Sequence, residues 1–213
     1  CESLPRFVNS GKGEHPMTTI NNICVFCGSS IGTRTEYGEA AHNLGIELAH
    51  HKIGLVYGGG STGLMGLIAD SVLKHGGTVI GVIPEALVQR EVKHSRLTEV
   101  YIVGSMHDRK AMMAHKSDAF VALPGGFGTM EELFEVITWA QLGIHHKPIL
   151  LLNVEGYFDP LLNFIHHALE EGFIREISPA LLRSTDDIQQ VIPMLQETPD
   201  QDFRPKWMDI SQT

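Results

Sequence analysis

The sequence feature that most constrains the fold is a short apolar run that passes through a cluster of glycines into a helix. Residues 119–123 (AFVAL) form an apolar run of the kind found in buried parallel strands. The following segment, 124–128 (PGGFG), has to turn sharply, and its glycines let backbone N–H groups approach a ligand. Apolar residues within 133–141 then recur at helical spacing. We therefore predict a helix that begins above the end of a strand, which favours binding of a phosphate.

The same order of strand, turn and helix recurs along the chain. Strands are predicted at 23–27, 54–57, 78–83, 100–103, 119–123 and 149–152. Helices are predicted at 37–48, 64–72, 105–117, 129–142, 157–171 and 186–197, and a polar connection at 84–98. This alternation predicts an α/β fold, a Rossmann-like doubly wound and mostly parallel sheet with helices on both faces.

Ligands of such sheets bind at the carboxyl ends of the strands, and the glycine turns all fall at that edge. We expect four segments to converge there in one crevice. These segments are Ser29, 58–63, 105–109 and 125–129.

Length and charge limit the class of protein. With 213 residues and 43% hydrophobic content, the chain suits a single catalytic domain, placed at 23–197 between a flexible lead-in (1–22) and a polar tail (198–213). A net charge of −9 with 16 Lys and Arg argues against a nucleic-acid polymer as partner and leaves a small anionic ligand open. No apolar stretch approaches the roughly 20 residues of a membrane helix, so we expect a soluble protein without membrane association.

The cysteines and histidines do not indicate a metal site. Three cysteines make no disulfide framework, and Cys24 and Cys27, three apart on a strand, point to opposite faces. Buried thiols in a reducing cytoplasm are the favoured interpretation. The histidine pairs at 50–51, 145–146 and 166–167 lack ligand spacing. We assign neither a metal nor an organic cofactor.

The glycines at 58, 60 and 63 satisfy the G-x-G-x-x-G pattern of dinucleotide sites, which alone is weak. A second glycine turn after another strand fits one nucleotide held from two sides better than an extended NAD. Leu64 stands where a Walker A motif has lysine. NAD binding and purely structural turns remain the alternatives.

Ser105 and Asp108 are suited to cap a helix that carries Arg109 and Lys110 in its first turn. Cations there oppose the helix dipole unless an anion binds nearby. We favour Arg109 as the ligand-facing member, because a guanidinium holds phosphate through two parallel hydrogen bonds. The alternative is a solvated basic pair.

The residues 129–132 (TMEE) have two interpretations. Thr129 as N-cap and Glu132 three residues later form a T-x-x-E capping box, which has only a structural role. A carboxylate beside anion-binding glycines also suits chemistry, because it stabilises an oxocarbenium-like centre or orients a water for attack on it.

Four motifs in the same order resemble one family closely. They are 56–66 (VYGGGSTGLMG), 105–111 (SMHDRKA), 124–132 (PGGFGTMEE) and 138–145 (TWAQLGIH). The chain resembles the LOG (LONELY GUY) family, the cytokinin riboside 5′-monophosphate phosphoribohydrolases, long mislabelled as lysine decarboxylases. The resemblance extends from about residue 23 to 171, and Phe127 stands where tyrosine is common in the family.

The resemblance implies a Rossmann-like homodimer that hydrolyses the N-glycosidic bond of a nucleoside 5′-monophosphate, without metal or organic cofactor. It implies that Arg109 and Glu132 are catalytic. The apolar residues Trp139, Leu142 and Ile144 near a helix end support the dimer. A non-catalytic nucleotide sensor of the same fold is the alternative. Together with the predicted crevice, the candidate substrate-binding residues are Ser29, Gly59, Gly60, Glu91, Met106, Lys110, Gly125, Gly126, Phe127, Gly128, Thr129, Met130, Glu131 and Thr138.

Overall fold

The computed structural model describes residues 19–88, 94–174 and 181–197. Within these ranges, seven strands form one parallel sheet in the order β4-β3-β2-β1-β5-β6-β7. The strands are β1 (Asn22–Phe26), β2 (Gly54–Tyr57), β3 (Val79–Pro84), β4 (Glu99–Val103), β5 (Ala119–Ala122), β6 (Ile149–Leu152) and β7 (Arg183–Thr185). The predicted α/β class with a doubly wound parallel sheet is confirmed.

Helices cover both faces of the sheet. They are α1 (Thr35–His50), α2 (Gly63–Lys74), α3 (Glu85–Val88), α4 (Met106–His115), α5 (Phe127–Gln141), α6 (Asp159–Glu170) and α7 (Ile188–Gln196). One core lies under α1, α2 and α7 and includes Leu44 and Ile68. The other lies under α4, α5 and α6 and includes Leu133 and Phe158. No helix of the described ranges is long and apolar enough to cross a bilayer.

Three expectations about the elements need correction. The short β7 was not predicted, because its three polar residues show no alternation of apolar and polar side chains and form a strand by pairing with β6. The segment 84–98, predicted as a polar connection, contains the last residue of β3 and the single-turn helix α3. The helix predicted from residue 157 begins at Asp159, since a 3-10 turn (Val154–Gly156) precedes it. Of the predicted lead-in only 19–22 is described, and the predicted tail lies outside the described residues.

The central strand β1 lies between β2 and β5, and Cys24 is paired with Val56 on one side and Phe120 on the other. The chain builds the sheet outward from β1 to β4 and then returns to add β5 on the opposite side of β1. Asp118, just before β5, accepts hydrogen bonds from the N–H groups of Asn21 and Asn22 at 2.8 and 3.0 Å. The carboxyl ends of β1 and β5 therefore form the topological switch point, where such sheets bind ligands.

The two described cysteines face opposite sides of the sheet, as predicted. Cys24 packs in the core under α4 to α6, and Cys27 packs in the core under α1, α2 and α7. Burial, and after it the negative charge of Glu132, raises the pKa of both thiols. Both groups are therefore protonated at neutral pH and unsuited to nucleophilic chemistry.

Candidate functional site

Three turns meet directly through their backbones at the switch point. The first follows β1 at Gly28, the second follows β2 at 58–63 and the third follows β5 at 124–126. The N–H of Gly28 donates to the carbonyl of Pro124 at 3.0 Å, and the N–H of Leu64 donates to the carbonyl of Gly28 at 3.0 Å. At Gly63, φ is +61° and an added Cβ would overlap the backbone of Ser29. Glycine is therefore required where the turns touch.

Helix α5 begins at this point without a side-chain cap. Its N-cap is Gly126, in extended conformation, and no side chain caps the helix. The first backbone bond within the helix runs from the N–H of Met130 to the carbonyl of Gly126, at 3.1 Å. The N–H groups of 127–129 have no partner within the helix, as at any helix start. They form a set of donors at the positive end of the helix dipole.

The predicted N-cap at Thr129 and its capping box with Glu132 are therefore wrong. The helix begins two residues before Thr129, so Thr129 occupies the third helical position and Glu132 the sixth. At the sixth position a side chain is a full turn too far along the helix to bond back to the N-cap N–H. Capping of α5 therefore does not explain Glu132.

The start of α5 is open to a ligand. Nothing within 4 Å would meet a Cβ at Gly126 or Gly128 among the described residues. The side chain of Phe127 between them is 97% exposed. An anion can approach the free N–H groups without displacing a side chain.

Helix α4 delivers Arg109 to the same crevice. The hydroxyl oxygen of Ser105 accepts from the N–H of Asp108 at 3.1 Å, which confirms the predicted cap. One turn later, the Arg109 guanidinium lies against the backbone of Gly58, where an added Cβ would overlap Nη2. The Sδ of Met106 accepts from Nη1 at 3.9 Å. Gly58 thus provides the space that Arg109 occupies.

Arg109 and Glu132 form a buried pair of opposite charge. Nη2 of Arg109 lies 4.0 Å from Oε1 of Glu132, and the two side chains are 8% and 12% exposed. The Nε of Arg109 is buried and has no hydrogen-bond partner in the described part of the chain. Buried donors of this kind are costly in free energy and are concentrated at functional sites.

Lys110 and Glu131 are bound to each other. The Nζ of Lys110 contacts Oε1 of Glu131 and lies 3.0 Å from Oε1 of Glu135. Burial opposes the charged form of Lys110, but the hydrogen bonds to Glu131 and Glu135 outweigh it and raise the pKa. This cluster connects α4 to α5 and so fixes the spacing of Arg109 and Glu132. Since Arg109 and Lys110 are both buried, the alternative of a solvated basic pair is wrong.

Most of the remaining candidates also lie at this edge. Ser29 is exposed on the first turn, and Gly59 accepts a hydrogen bond from the N–H of His94 at 3.2 Å. Gly60 approaches the side chain of Met65. Thr138 does not join them: it lies on the exposed side of α5, roughly 16 Å along the axis from Phe127 at about 1.5 Å per residue. Its hydroxyl donates to the carbonyl of Phe134 at 2.7 Å.

Glu91 lies outside the described residues, which end at 88 and resume at 94. Among those described, no group of three His, Cys, Asp or Glu could hold a metal ion.

Sequence reasoning placed Gly58 in the crevice but missed its contact with Arg109, and it missed Tyr157 altogether. Gly58 belongs to the glycine motif, but nothing local shows that its missing Cβ makes room for a side chain 51 positions later. Tyr157, from the connection after β6, donates its hydroxyl hydrogen to the carbonyl of Gly125 at 2.6 Å. This contact joins two different strand–helix units, so no spacing pattern could reveal it.

Comparison with known proteins identifies close relatives. A family model described as "Possible lysine decarboxylase" matches residues 65–195. The cytokinin riboside 5′-monophosphate phosphoribohydrolase LOG7 of Arabidopsis thaliana is 52% identical over 198 residues, 93% of this chain and 89% of its own length. LOG1 of the same plant is 55% identical, covering 84% of each chain. A probable enzyme of the same name from Oryza sativa subsp. japonica, LOGL9, is 56% identical over 84% of this chain and 78% of its own.

Solved structures with low identity share the fold. The Moco carrier protein from Chlamydomonas reinhardtii superposes with a TM-score of 0.61 at 24% identity, over 81% of this chain and 93% of its own. A molybdenum cofactor binding protein from Rippkaea orientalis gives 0.61 at 20% identity, over the same shares of the two chains. At these identities the similarity concerns the fold alone.

Proposed function

Because the chain belongs to the LOG family of phosphoribohydrolases, we propose that it hydrolyses the N-glycosidic bond of a nucleoside 5′-monophosphate. The substrate is AMP or an N6-modified AMP such as a cytokinin riboside monophosphate. The products are the free base and ribose 5-phosphate. Relatives that are 52% and 55% identical bear the names of enzymes, which favours hydrolysis over a non-catalytic sensor.

The observation that carries this proposal is the buried pair of Arg109 and Glu132 beside an uncapped, open helix start. The backbone N–H groups of 126–129 bind the 5′-phosphate, and the turn after β2 holds the nucleotide from the other side. Arg109 fixes the bound nucleotide. The carboxylate of Glu132 stabilises positive charge that develops at C1′ of the ribose, or orients the attacking water.

The reaction balances without a co-reactant other than water. The oxygen of water forms a bond to C1′ while the bond from C1′ to the base nitrogen breaks. The electron pair of the broken bond leaves with the base, which takes one proton of the water. Neither a metal nor an organic cofactor has a role in the proposal.

We also propose that the protein acts as a homodimer. The exposed side of α5 carries Phe127, Phe134 and Thr138, and Ile144 follows the helix with 64% exposure. Thr138 lies too far along α5 to share a ligand with the glycine turn of its own chain, so its substrate-binding role is proposed at the site of a second copy. Trp139 was expected to support the dimer, but it packs against the core under α4 to α6.

We propose one catalytic domain at 23–197, supported by a single sheet that continues from β1 to β7. A cytoplasmic location is supported by the free, buried thiols of Cys24 and Cys27, which suit a reducing compartment.

The proposal is tested by incubating the pure protein with AMP, N6-prenylated AMP, other nucleoside monophosphates and adenosine, and by measuring ribose 5-phosphate and free base. We expect hydrolysis of at least one adenine monophosphate and a much lower specificity constant for adenosine, because binding of the remote phosphate positions the scissile bond. Absence of ribose 5-phosphate with every monophosphate would refute the function. Equal specificity constants for AMP and adenosine would refute the phosphate site.

A further inference from the structure

The connection between β6 and α6 has a defined conformation. The side-chain oxygen of Asn153 accepts from the N–H of Phe158 at 2.7 Å, and its amide nitrogen donates to Oδ1 of Asp159 at 2.7 Å. Glu155 and Gly156, which lie between Asn153 and Phe158, have φ of +53° and +67°. A non-glycine residue at positive φ is strained and is kept only where the surroundings hold it. This conformation fixes the position of the next residue, Tyr157.

Tyr157 reaches from this connection to the third glycine turn. Its hydroxyl donates to the carbonyl of Gly125 at 2.6 Å. Its ring packs edge-on against Tyr37 of α1, at 5.7 Å between centroids, and against Phe158, at 5.1 Å. Two aromatic neighbours therefore hold the ring while its hydroxyl binds the turn.

The bond to Gly125 determines the direction of the next N–H. A peptide unit is planar and trans, so the carbonyl of Gly125 and the N–H of Gly126 point to opposite sides. Since the carbonyl is directed at Tyr157, the N–H of Gly126 is directed away from it. Gly125 is also closely packed. A Cβ at this position would overlap the Thr129 hydroxyl and approach the Gly28 nitrogen to 2.9 Å. The peptide is thus held by a donor and by close packing.

From this geometry we infer that Tyr157 is a positioning residue of the phosphate site. It fixes the Gly125–Gly126 peptide so that the Gly126 N–H joins the free N–H groups at the start of α5. A glycine pair without this bond would sample many orientations, and ordering it on binding would cost affinity. The inference rests on the proposed function for the identity of the anion, and Tyr157 acts on that anion through the Gly125–Gly126 peptide.

The test is Tyr157→Phe, which keeps the ring and removes the hydroxyl. Calorimetric titration measures the affinity for ribose 5-phosphate, which needs the glycine turn, and for adenine, which does not. We expect the affinity for ribose 5-phosphate to fall about 10-fold while that for adenine changes less than about twofold. In the assay, the KM for AMP should rise with a smaller change in kcat, because an interaction common to ground and transition states is lost. Tyr37→Phe is the matched control, since it removes a hydroxyl from the adjacent ring and leaves the bond to Gly125 in place.

Several outcomes overturn the inference. An unchanged affinity for ribose 5-phosphate would show that the hydroxyl does not position the turn. An equal loss for both ligands, or a similar loss in Tyr37→Phe, would show a general structural role. Titrations are made well below the melting temperatures of all three proteins, so that unfolding does not enter the comparison. If the wild type hydrolyses no nucleotide, the proposed function fails, while the titrations still decide whether Tyr157 orders an anion site.

Discussion

Glu132 combines several properties at one residue. Its carboxylate is nearly buried, lies 4.0 Å from a guanidinium and belongs to the second turn of a helix whose start is uncapped. Its charge contributes to the raised pKa of Cys24 and Cys27, so its field extends to the end of the central strand. A carboxylate at this position affects the electrostatic potential at the switch point more than it affects the stability of α5.

Replacing Glu132 with Gln should reduce turnover by ~100-fold or more while the protein stays folded, because the amide keeps the shape and removes the charge. Release of ribose 5-phosphate is the measurement. Glu135→Gln, one turn further along the same helix, is the control, and it should reduce turnover far less. A Glu132→Gln protein that turns over at a near wild-type rate would assign the role to another carboxylate, Glu131 first.

Substituting Gly58 with Ala should reduce activity by ~10-fold or more, because the new methyl group takes the space of the Arg109 guanidinium. The loss is measured as kcat/KM for AMP, with circular dichroism to show that the fold is kept. Gly38→Ala, on α1, adds the same methyl group at 3.4 Å from the nearest atom and should leave activity unchanged. Normal kinetics in Gly58→Ala would mean that Arg109 has an alternative position that works equally well.

Among the elements, the turn from α5 to β6 contains a histidine held in its neutral form. The N–H of Lys147 donates to Nδ1 of His145 at 3.1 Å, so the proton is on Nε2, which donates to the carbonyl of Val136 at 2.9 Å. Burial is the main cause that lowers the pKa of His145 to about 4. Protonation of Nδ1 would break the bond from Lys147 and place two donors face to face.

This histidine should make stability depend on pH. Above pH 6.5 the ring is neutral in both states, whereas between 6.5 and about 4 only the unfolded ring binds a proton, so stability falls as pH falls. The free energy of unfolding, measured with urea, should fall between pH 7 and pH 5. We expect this decrease to be about 1 to 2 kcal/mol smaller in His145→Gln than in the wild type. His146→Gln, at the exposed neighbouring position, should show the same decrease in the free energy of unfolding as the wild type. Identical pH dependence in His145→Gln would contradict the neutral, buried state.

The elements also show what a sequence can and cannot reveal. The order of strands and helices was predicted because apolar runs and glycine turns are local patterns. The N-cap of α5 was misplaced by three residues, at Thr129 instead of Gly126, since both residue types are acceptable N-caps and the close packing of Gly125 on Gly28 joins separate units. The candidate site emerged from motifs and family resemblance, but the contacts Arg109–Gly58 and Tyr157–Gly125 depend on how separate units pack. Such contacts have no signature in one sequence.

At the scale of the whole molecule, the proposed homodimer can be tested by its mass in solution. Light scattering at micromolar concentration should give about twice the chain mass of 23.5 kDa. Phe134→Glu should shift the mass toward that of one chain and reduce activity, because it places a charge in the proposed interface on α5. Leu67→Glu is a matched control, since both residues are 38% exposed and Leu67 lies on α2, on the opposite face of the sheet. A wild-type mass near 23.5 kDa would refute the dimer.

The insertion of β5 beside β1 has a consequence for the order of events during synthesis. The bond from the Asn21 N–H to Asp118 spans 97 positions, and β1 has only β2 as a neighbour until β5 has left the ribosome. Closing so long a loop is entropically costly and slows folding. Meanwhile the apolar edge of β1 is open to pairing with other chains. A nascent chain arrested before residue 119 should therefore leave the β1 amides that face β5 unprotected against hydrogen exchange, and the crevice at the switch point exists only after the second half of the sheet has been added.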